Sequence, residues 1–295
     1  MDKETLKDDF ELSDRNKPMQ VELGKYNRLT VIKELDFGLY LDGYEDEILI
    51  PRVYVPEGTQ IGDELEVFVY RDSEDRLIAT TLKPYAIVGE FAFLKARDVS
   101  PSGVFLDWGL MKDLLVPFGE QSHKMAVGRS YLVYIYVDEQ TERIVASAKL
   151  DKFLSEDISG LTEGQEVTLL PYEYTDLGMK ALVNEQYTGV IYKNEVFKTI
   201  PLGERTQGFI KKIRTDGKLD LSLEKQGYDR IDKSKSEIFN LLVASGGFLP
   251  FSDKTDAGLI YETFQMSKKD FKKAIGGLFR DKRINIQEDG IYISK

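Results

Sequence analysis

The sequence contains no cysteine and only one histidine, His123. Without thiols the chain cannot form disulfides or thiolate metal sites, and a single imidazole argues against a zinc site. No apolar run approaches the roughly 20 residues that a membrane-spanning helix needs. Together with an acidic N-terminus, these absences predict a cytoplasmic protein that does not associate with a membrane.

Signatures of catalysis are also missing from the sequence. Neither a P-loop nor a strand-to-helix G-x-G-x-x-G pattern occurs, so no phosphate-cradling loop is predicted. His123 lies in a polar stretch, and the many carboxylates are spread through an acidic background in which no pair stands out for acid–base chemistry. The sequence therefore predicts a protein that is not an enzyme.

Positive charge is scarce overall but unevenly distributed. The net charge of −11 argues against a general affinity for polyanions. From Arg205 to Lys295, however, 18 Lys and Arg residues face 13 Asp and Glu residues, a net of +5, whereas the preceding 204 residues carry −16. If the chain binds a nucleic acid, the last third is expected to dominate the contact.

A pattern of glycines occurs three times along the chain. Two glycines 14 positions apart are followed, 24 or 25 residues later, by a third glycine between an apolar and a polar residue. The three sets are Gly24, Gly38 and Gly62; Gly89, Gly103 and Gly128; and Gly164, Gly178 and Gly203. The copies begin 65 and 75 residues apart, which is too far for a solenoid and indicates small tandem domains.

Each copy contains five short stretches with the alternation and β-branched content of strands. In the first copy these stretches cover residues 26–32, 37–42, 47–51, 64–70 and 76–82. The glycine at position 38 marks a place where a strand bends or another backbone approaches closely. Five strands with a bent second strand and a longer connection between the third and fourth predict a closed Greek-key barrel of the OB type.

After Gln226 the apolar period changes from that of strands to that of helices. Ile231, Ile238, Leu241 and Leu242 fall on one helical face, which ends at the Gly246-Gly247 pair. A second helix is predicted over 256–264, and Ser267 caps a third whose buried stripe is Phe271, Ile275, Leu278 and Phe279. An Asp289-Gly290 turn then predicts a β-hairpin. Three helices and a hairpin are the order of a winged helix-turn-helix domain.

The predicted fold class is thus multidomain and mainly β, with three tandem five-stranded OB barrels, which the motifs below identify as S1-like by resemblance, and a C-terminal α+β winged helix-turn-helix domain. The expected divisions are an acidic tail over 1–20, barrels over 21–84, 85–155 and 156–226, and the winged-helix domain over 227–295.

Each barrel repeat resembles the S1 RNA-binding domain. Phe37-Gly38-Leu39-Tyr40 matches its aromatic motif, and Asp72 with Arg76 matches its later turn. Repeat 2 keeps Phe105, Asp138 and Arg143. S1 domains usually also carry a Gly-Leu-Val-His motif after the aromatic one, and proline replaces its histidine in repeats 1 and 2, at Pro51 and Pro117. Repeat 3 keeps Gly189-Val190-Ile191-Tyr192, has Leu177 and Lys180 at the aromatic positions, and has Arg214 and Lys218 at the turn.

The whole arrangement resembles the conserved virulence factor B family of bacterial regulators over residues 21–295. The resemblance is carried by the domain order and by Gly246-Gly247-Phe248-Leu249-Pro250, Asp253-Lys254 and Met266-Ser267-Lys268. It implies an RNA-binding protein that affects gene expression, without a cofactor or catalytic residues.

The candidate contacts follow from how OB folds and basic surfaces hold single strands, with aromatics stacking on bases and cations holding phosphates. Candidate base-stacking positions in repeats 1 and 2 are Phe37, Tyr40, Arg76, Phe105 and Arg143. Candidate RNA-binding residues of repeat 3 are Lys180, Tyr192, Lys211, Lys212, Arg214 and Lys218. Those of the winged helix are Lys268, Lys269, Lys272, Lys273, Arg280, Lys282 and Arg283. One of Phe37 and Tyr40 could instead close the barrel core.

The leading hypothesis is a regulator that binds single-stranded RNA with little sequence preference, mainly through repeat 3 and the winged helix. One alternative is a DNA-binding transcription regulator that uses the winged helix. Another is an adaptor whose acidic repeats bind a protein of the ribosome or of RNA processing. The sequence does not decide which RNAs are bound, whether decay or translation changes, or whether repeats 1 and 2 bind RNA at all.

Overall fold

The computed structural model describes residues 20–196, 200–224 and 228–294. The predicted acidic tail lies outside these residues except for Gln20. The chain divides after Lys152 into two compact units. The N-terminal unit holds barrels 1 and 2, and the C-terminal unit holds barrel 3 and the winged-helix domain.

Three closed five-stranded barrels follow one another, and each has the same strand order, in which the last strand lies between the third and the fourth. Barrel 1 consists of β1 (Tyr26–Leu35), β2 (Gly38–Asp42), β3 (Glu47–Pro51), β4 (Glu64–Arg71) and β5 (Leu77–Thr80). Barrel 2 consists of β6 (Phe91–Ser100), β7 (Gly103–Asp107), β8 (Leu114–Pro117), β9 (Ser130–Val137) and β10 (Ile144–Ser147). Barrel 3 consists of β11 (Glu166–Tyr174), β12 (Gly178–Val183), β13 (Tyr187–Tyr192), β14 (Thr206–Ile213) and β15 (Leu219–Ser222). The predicted barrel fold is confirmed.

The third glycine of each repeat makes the same hydrogen bond to the first strand in all three barrels. The first strand shifts register against the second after Val31, Ala96 and Pro171 in the three barrels, as it does at a β-bulge. The amide of the third glycine donates to the carbonyl of that same residue at 2.8, 2.9 and 2.8 Å. The repeated glycine spacing therefore reflects two linked features. The first strand of each barrel has a bulge, and the segment around the third glycine hydrogen-bonds to the carbonyl at that bulge.

Barrels 1 and 2 share part of their hydrophobic core. Phe68 and Tyr70 of β4 pack in the same buried cluster as the interior of barrel 2. The rings of Phe68 and Trp108 lie edge to face with centroids 5.6 Å apart, and the Trp108 indole donates to the carbonyl of Lys112 at 2.8 Å. The connecting segment is built into this contact, since Ala86 is buried and the amide of Tyr85 donates to Trp108.

The winged-helix domain has the predicted order of elements. Its helices are α1 (Tyr228–Ala244), α2 (Ala257–Phe264) and α3 (Lys268–Arg280), and its strands are β16 (Phe248–Leu249), β17 (Ile284–Ile286) and β18 (Ile291–Ile293). The strands form one sheet in the order β16-β18-β17. Ser267 caps α3 by accepting from the Asp270 amide, and Asp256 caps α2 in the same way through Gly258. The three helices and the sheet enclose a common core around Phe271 and Leu278.

In the part of the chain that the structure describes, no helix combines the length and the apolar character needed to cross a membrane.

Candidate nucleic-acid interface

Two aromatic side chains stand on the outside of barrel 1 at the start of β2. Phe37 is 56% exposed and Tyr40 is half-buried, and their rings meet edge to face with centroids 6.3 Å apart. Leu39 points into the core and its neighbour Tyr40 points outwards, because successive residues of a strand face opposite sides, and Phe37 lies just before the strand begins. Neither aromatic closes the barrel core, so both present ring surface to solvent.

The surface beside Tyr40 is acidic. Tyr40 borders a cleft of about 480 Å³. Its charged lining comprises Asp46, Glu47, Asp72, Asp75, Arg71 and Arg76. Arg76 is held by Asp72 at 2.7 Å and by Glu74 at 2.9 Å. Burial acts to raise the pKa of Asp72, but hydrogen bonds from Arg76 outweigh it and lower the pKa below its usual value. The Asp72 carboxylate therefore stays charged at neutral pH, and the cleft disfavours a phosphate.

The candidate residues of barrel 2 lie at its contact with barrel 1. Phe105 lines a cleft of about 400 Å³ together with Trp108 and Arg143. Arg143 forms an ion pair with Asp75, which belongs to the turn between β4 and β5 of barrel 1. The Phe105 ring is half-buried in this cleft. The basic residue that S1 domains carry at this turn is thus engaged by a neighbouring carboxylate.

Lys112 reinforces the same contact. Its ammonium donates to the backbone carbonyls of Arg71 and Asp72 at 3.0 and 2.6 Å. Burial lowers the pKa of Lys112, although Asp75 nearby opposes the shift. This lysine ties the two barrels together and is not free to bind a phosphate.

In barrel 3 one end of the candidate set forms a hydrogen-bonded network. The Arg214 guanidinium donates to the Tyr192 hydroxyl at 2.6 Å and pairs with Asp220 at 3.0 Å. The Tyr192 hydroxyl in turn donates to Asp220 at 3.2 Å. The Asp220 carboxylate on β15 therefore links Tyr192, the last residue of β13, to Arg214 in the turn after β14.

Most other cations of barrel 3 also have acidic partners. Lys180 pairs with Glu173 at 2.9 Å, and Lys218 pairs with Asp216 at 3.4 Å. Lys211 forms a short ion pair with Glu195. Lys212 is exposed, and it has no acidic partner among the residues described. In barrel 3, Lys212 is therefore the candidate cation most open to a phosphate.

The exposed face of α3 is the most basic surface in the winged-helix domain. It presents Lys269, Lys272, Lys273, Gly276, Phe279 and Arg280. Lys272 lies 3.7 Å from Asp253. Within the described ranges, Lys269, Lys273 and Arg280 have no acidic partner. Three cations on one helix face are thus without an acidic partner in the described part of the chain.

Two of the three remaining candidates of this domain, Lys268 and Arg283, contact other parts of the same domain. The Lys268 ammonium donates to the Lys254 carbonyl at 3.3 Å, and the Arg283 guanidinium lies 3.8 Å from the centroid of the Phe239 ring. Lys282 is exposed in the turn after α3, where its backbone has a positive φ of 55°. Arg283 therefore packs against α1, which leaves its charge on the surface but fixes its direction.

The prediction that Phe279 belongs to the buried stripe of α3 is wrong. Its side chain is 52% exposed, whereas Phe271, Ile275 and Leu278 are buried. At 100° per residue, Phe279 lies about 80° from Phe271, at the margin of the stripe, and Ala274 fills the stripe instead. Sequence reasoning also missed Lys112, because only the packing of two barrels brings it to the carbonyls of barrel 1.

Two family models match parts of this architecture. Residues 23–82 match a family model described as S1 domain, and residues 236–293 match one described as CvfB-like winged helix domain. The chain is 29% identical over 276 residues to the uncharacterized protein YitL of Bacillus subtilis, covering 90% of this chain and 92% of that protein. It is similar, with 23% identity and a TM-score of 0.43, to a solved multidomain protein with nucleic acid binding domains from Streptococcus pneumoniae, covering 92% of this chain and 98% of that one.

A further relative gives the family its name. The chain is 30% identical over 244 residues to conserved virulence factor B of Staphylococcus epidermidis, covering 80% of this chain and 82% of that protein. The S1 and winged-helix domains together suggest a nucleic-acid-binding regulatory protein. The chain belongs to the conserved virulence factor B family.

Proposed function

We propose that this protein binds single-stranded RNA with little sequence preference, mainly through barrel 3 and the winged-helix domain, and regulates gene expression after transcription. The observation that carries the proposal is the face of α3, where Lys269, Lys273 and Arg280 have no acidic partner among the described residues. Phosphate binding depends mainly on such cations, since each contact releases counterions from the nucleic acid.

The ion pairs of the other candidate residues support the proposal that the C-terminal unit provides most of the phosphate contacts. Arg76 and Arg143 in the N-terminal unit are paired with Asp72 and Asp75. A phosphate that approached them would compete with these carboxylates. At Lys269 and Lys273 a phosphate meets no such competitor among the described residues, so the electrostatic gain is larger on α3.

We propose single-stranded RNA as the ligand in place of duplex DNA because the S1-like barrels are an OB-type fold. OB folds bind unpaired strands by combining a basic groove with exposed aromatic rings. A winged helix alone would also suit duplex DNA, whose major groove accepts a recognition helix.

The test is competition against a fluorescent oligo(U) bound to the full chain. Unlabelled oligo(U) and oligo(A) are expected to displace it at similar concentrations, and duplex DNA of equal length only at much higher concentration. Stronger competition by the duplex would contradict the proposal and favour a DNA-binding regulator.

A second function, protein binding by barrel 1, is favoured by the acidic surroundings of Tyr40. The cleft beside this ring is lined by Asp46, Glu47 and Asp72, and its Arg76 is already paired. Such a surface suits a lysine- and arginine-rich segment of a partner protein. A labelled cationic peptide should bind the full chain and lose affinity in Asp46→Lys with Glu47→Lys; unchanged affinity would rule this function out.

A further inference from the structure

Gly276 lies in the middle of the exposed basic face of α3. Residues three and four positions apart are neighbours on a helix surface. The neighbours of Gly276 on this face are therefore Lys272, Lys273, Phe279 and Arg280. One aromatic ring and three cations surround the one position that has no side chain.

The space over Gly276 is open. A Cβ atom added there would meet no atom of the described residues within 4 Å, and the residue has ordinary helical backbone without a positive φ. Gly277 differs, because a Cβ on it would lie 2.2 Å from the Cε atom of Lys235 on α1. Gly277 thus faces a side chain of α1, whereas Gly276 faces away from the described part of the domain.

The side chains of the next turn lean towards this space. Helical side chains point back towards the N-terminus, so residues at 279 and 280 cover the turn that contains Gly276. Arg280 does so visibly, since its Nε atom donates to the Gly276 carbonyl at 3.3 Å. Phe279 is 52% exposed on a face that otherwise carries cations. The exposed Phe279 side chain and the bare backbone of Gly276 are therefore neighbours on one helix face.

We infer that Gly276 and Phe279 form a slot for one unpaired nucleobase of the RNA, stacked on the Phe279 ring, with the adjoining phosphates held by Lys273 and Arg280. This inference rests on the proposed function and adds a specific stacking position to it. An aromatic ring gains most from a base whose face is uncovered, which a single strand supplies and a duplex does not.

The position of Phe279 along the helix also favours a single strand. A recognition helix that reads duplex DNA contacts base edges with residues near its N-terminus. Phe279 is the second-last residue of α3, in its last turn. The stacking slot therefore lies at the opposite end of the helix from the one that enters a major groove.

Two substitutions in the full chain test the slot, with oligo(U) and an abasic oligomer of the same length as probes. Phe279→Leu keeps apolar bulk and removes the aromatic face, and it should weaken oligo(U) binding at least about fivefold. Binding of the abasic oligomer should not change. Phe118→Leu is the matched control, since Phe118 is also 52% exposed but lies in barrel 2, and it should leave both affinities unchanged.

Gly276→Ala separates binding from folding. Alanine is a better helix former than glycine and meets no neighbour here, so the domain should melt at an equal or higher temperature. Its methyl group nevertheless occupies the floor of the slot, and oligo(U) binding should weaken while abasic binding stays constant. A stable Gly276→Ala variant that binds oligo(U) as tightly as the wild type would overturn the slot.

The remaining outcomes are equally decisive. Equal losses for oligo(U) and the abasic oligomer in Phe279→Leu would show that the ring does not stack on a base, and would overturn the inference. Duplex DNA of the same length serves as a third probe. If Phe279→Leu lost as much affinity for the duplex as for oligo(U), the inference would also be overturned, and groove binding would be favoured. If the wild-type chain binds no single strand at all, the proposed function fails first, which is distinguishable from failure of the slot alone.

Discussion

At the scale of single residues, the glycine that opens the second strand of each barrel has no room for a side chain. A Cβ atom would lie 2.3 Å from the Ile50 carbonyl oxygen at Gly38, 2.2 Å from that of Val116 at Gly103 and 2.1 Å from that of Ile191 at Gly178. The neighbouring strand is too close in all three barrels. The close approach of another backbone, one of the two reasons predicted for a glycine at this position, is therefore confirmed.

This contact predicts that Gly178→Ala destabilises barrel 3. Backbone cannot move aside as a side chain can, so β12 and β13 must separate, at a cost of about 1–3 kcal/mol. Gly160→Ala is the control, because a Cβ there would meet none of the described residues within 4 Å. Urea unfolding of both variants measures the difference, and equal midpoints would contradict the prediction.

A second prediction at this scale concerns Glu120 and acid. Its carboxylate accepts from the Ser147 hydroxyl at 2.6 Å and from the Lys152 ammonium at 2.7 Å. Burial acts to raise the pKa of Glu120, but these two hydrogen bonds outweigh it and lower the pKa below its usual value of 4.5. A folded pKa below the unfolded one stabilises the protein above the unfolded pKa, and this stabilisation is lost as the pH falls through the folded pKa.

Glu120→Gln should therefore lower the free energy of unfolding at pH 7 and flatten its fall below about pH 4.5. Urea denaturation at pH 7 and at a series of acidic values provides the measurement. Glu139→Gln serves as control, because Glu139 is exposed on the same barrel. A steeper acid dependence in Glu120→Gln than in the wild type would show that the sign is wrong.

At the scale of elements, α3 is expected to provide much of the charge that binds RNA. Lys269→Glu with Lys273→Glu should weaken oligo(U) binding at least about tenfold and reduce the slope of log affinity against log salt by about 1.4, since roughly 0.7 is lost per phosphate contact to a single strand. The matched control is Lys83→Glu with Lys124→Glu, which changes the net charge equally at exposed positions of the N-terminal unit. Equal losses in both variants would indicate a general charge effect without a site on α3.

The elements themselves were largely predictable from sequence, because alternation and helical period are local properties. The predicted stretch 47–51 is β3 as observed, whereas β5 covers only Leu77–Thr80 of the predicted 76–82. Strand ends depend on pairing with a neighbour, and only the folded barrel supplies that. The winged-helix order followed from the change of period after Gln226 and from the Gly246-Gly247 stop.

The candidate site was less predictable, because a charge is open to a ligand only if no partner holds it. Lys211 pairs with Glu195, and Arg143 with Asp75, across 16 and 68 positions of sequence. No pattern in the sequence predicts which of these residues form ion pairs. Phe279 shows the same limit, since a residue at the margin of an apolar stripe becomes buried or exposed according to what packs beside it.

At the scale of the whole molecule, the repeats are not equivalent in how they are held. Phe68 of barrel 1 packs against Trp108 of barrel 2, and Lys112 and Arg143 bind the turn between β4 and β5. The predicted boundary near residue 84 thus separates two barrels that share a core. We expect residues 20–152 to resist proteolysis as one body, with barrel 3 and the winged-helix domain in the other compact unit.

The final prediction compares these two units as RNA-binding fragments. Residues 1–152 carry a net charge of −10, and residues 153–295 carry −1, with a net of +5 from Arg205 onwards. The second fragment also contains Lys212 and the basic face of α3. Since phosphate contacts dominate affinity for single strands, fragment 153–295 should bind oligo(U) more tightly than fragment 1–152 at equal salt, and the difference in affinity should narrow as the salt concentration rises.

Fluorescence anisotropy at two or more salt concentrations measures both effects, after circular dichroism has verified that each fragment is folded. Tighter binding by fragment 1–152 would mean that the Phe37 and Tyr40 rings contribute more than the charge of the C-terminal unit, and would move the RNA site to barrel 1.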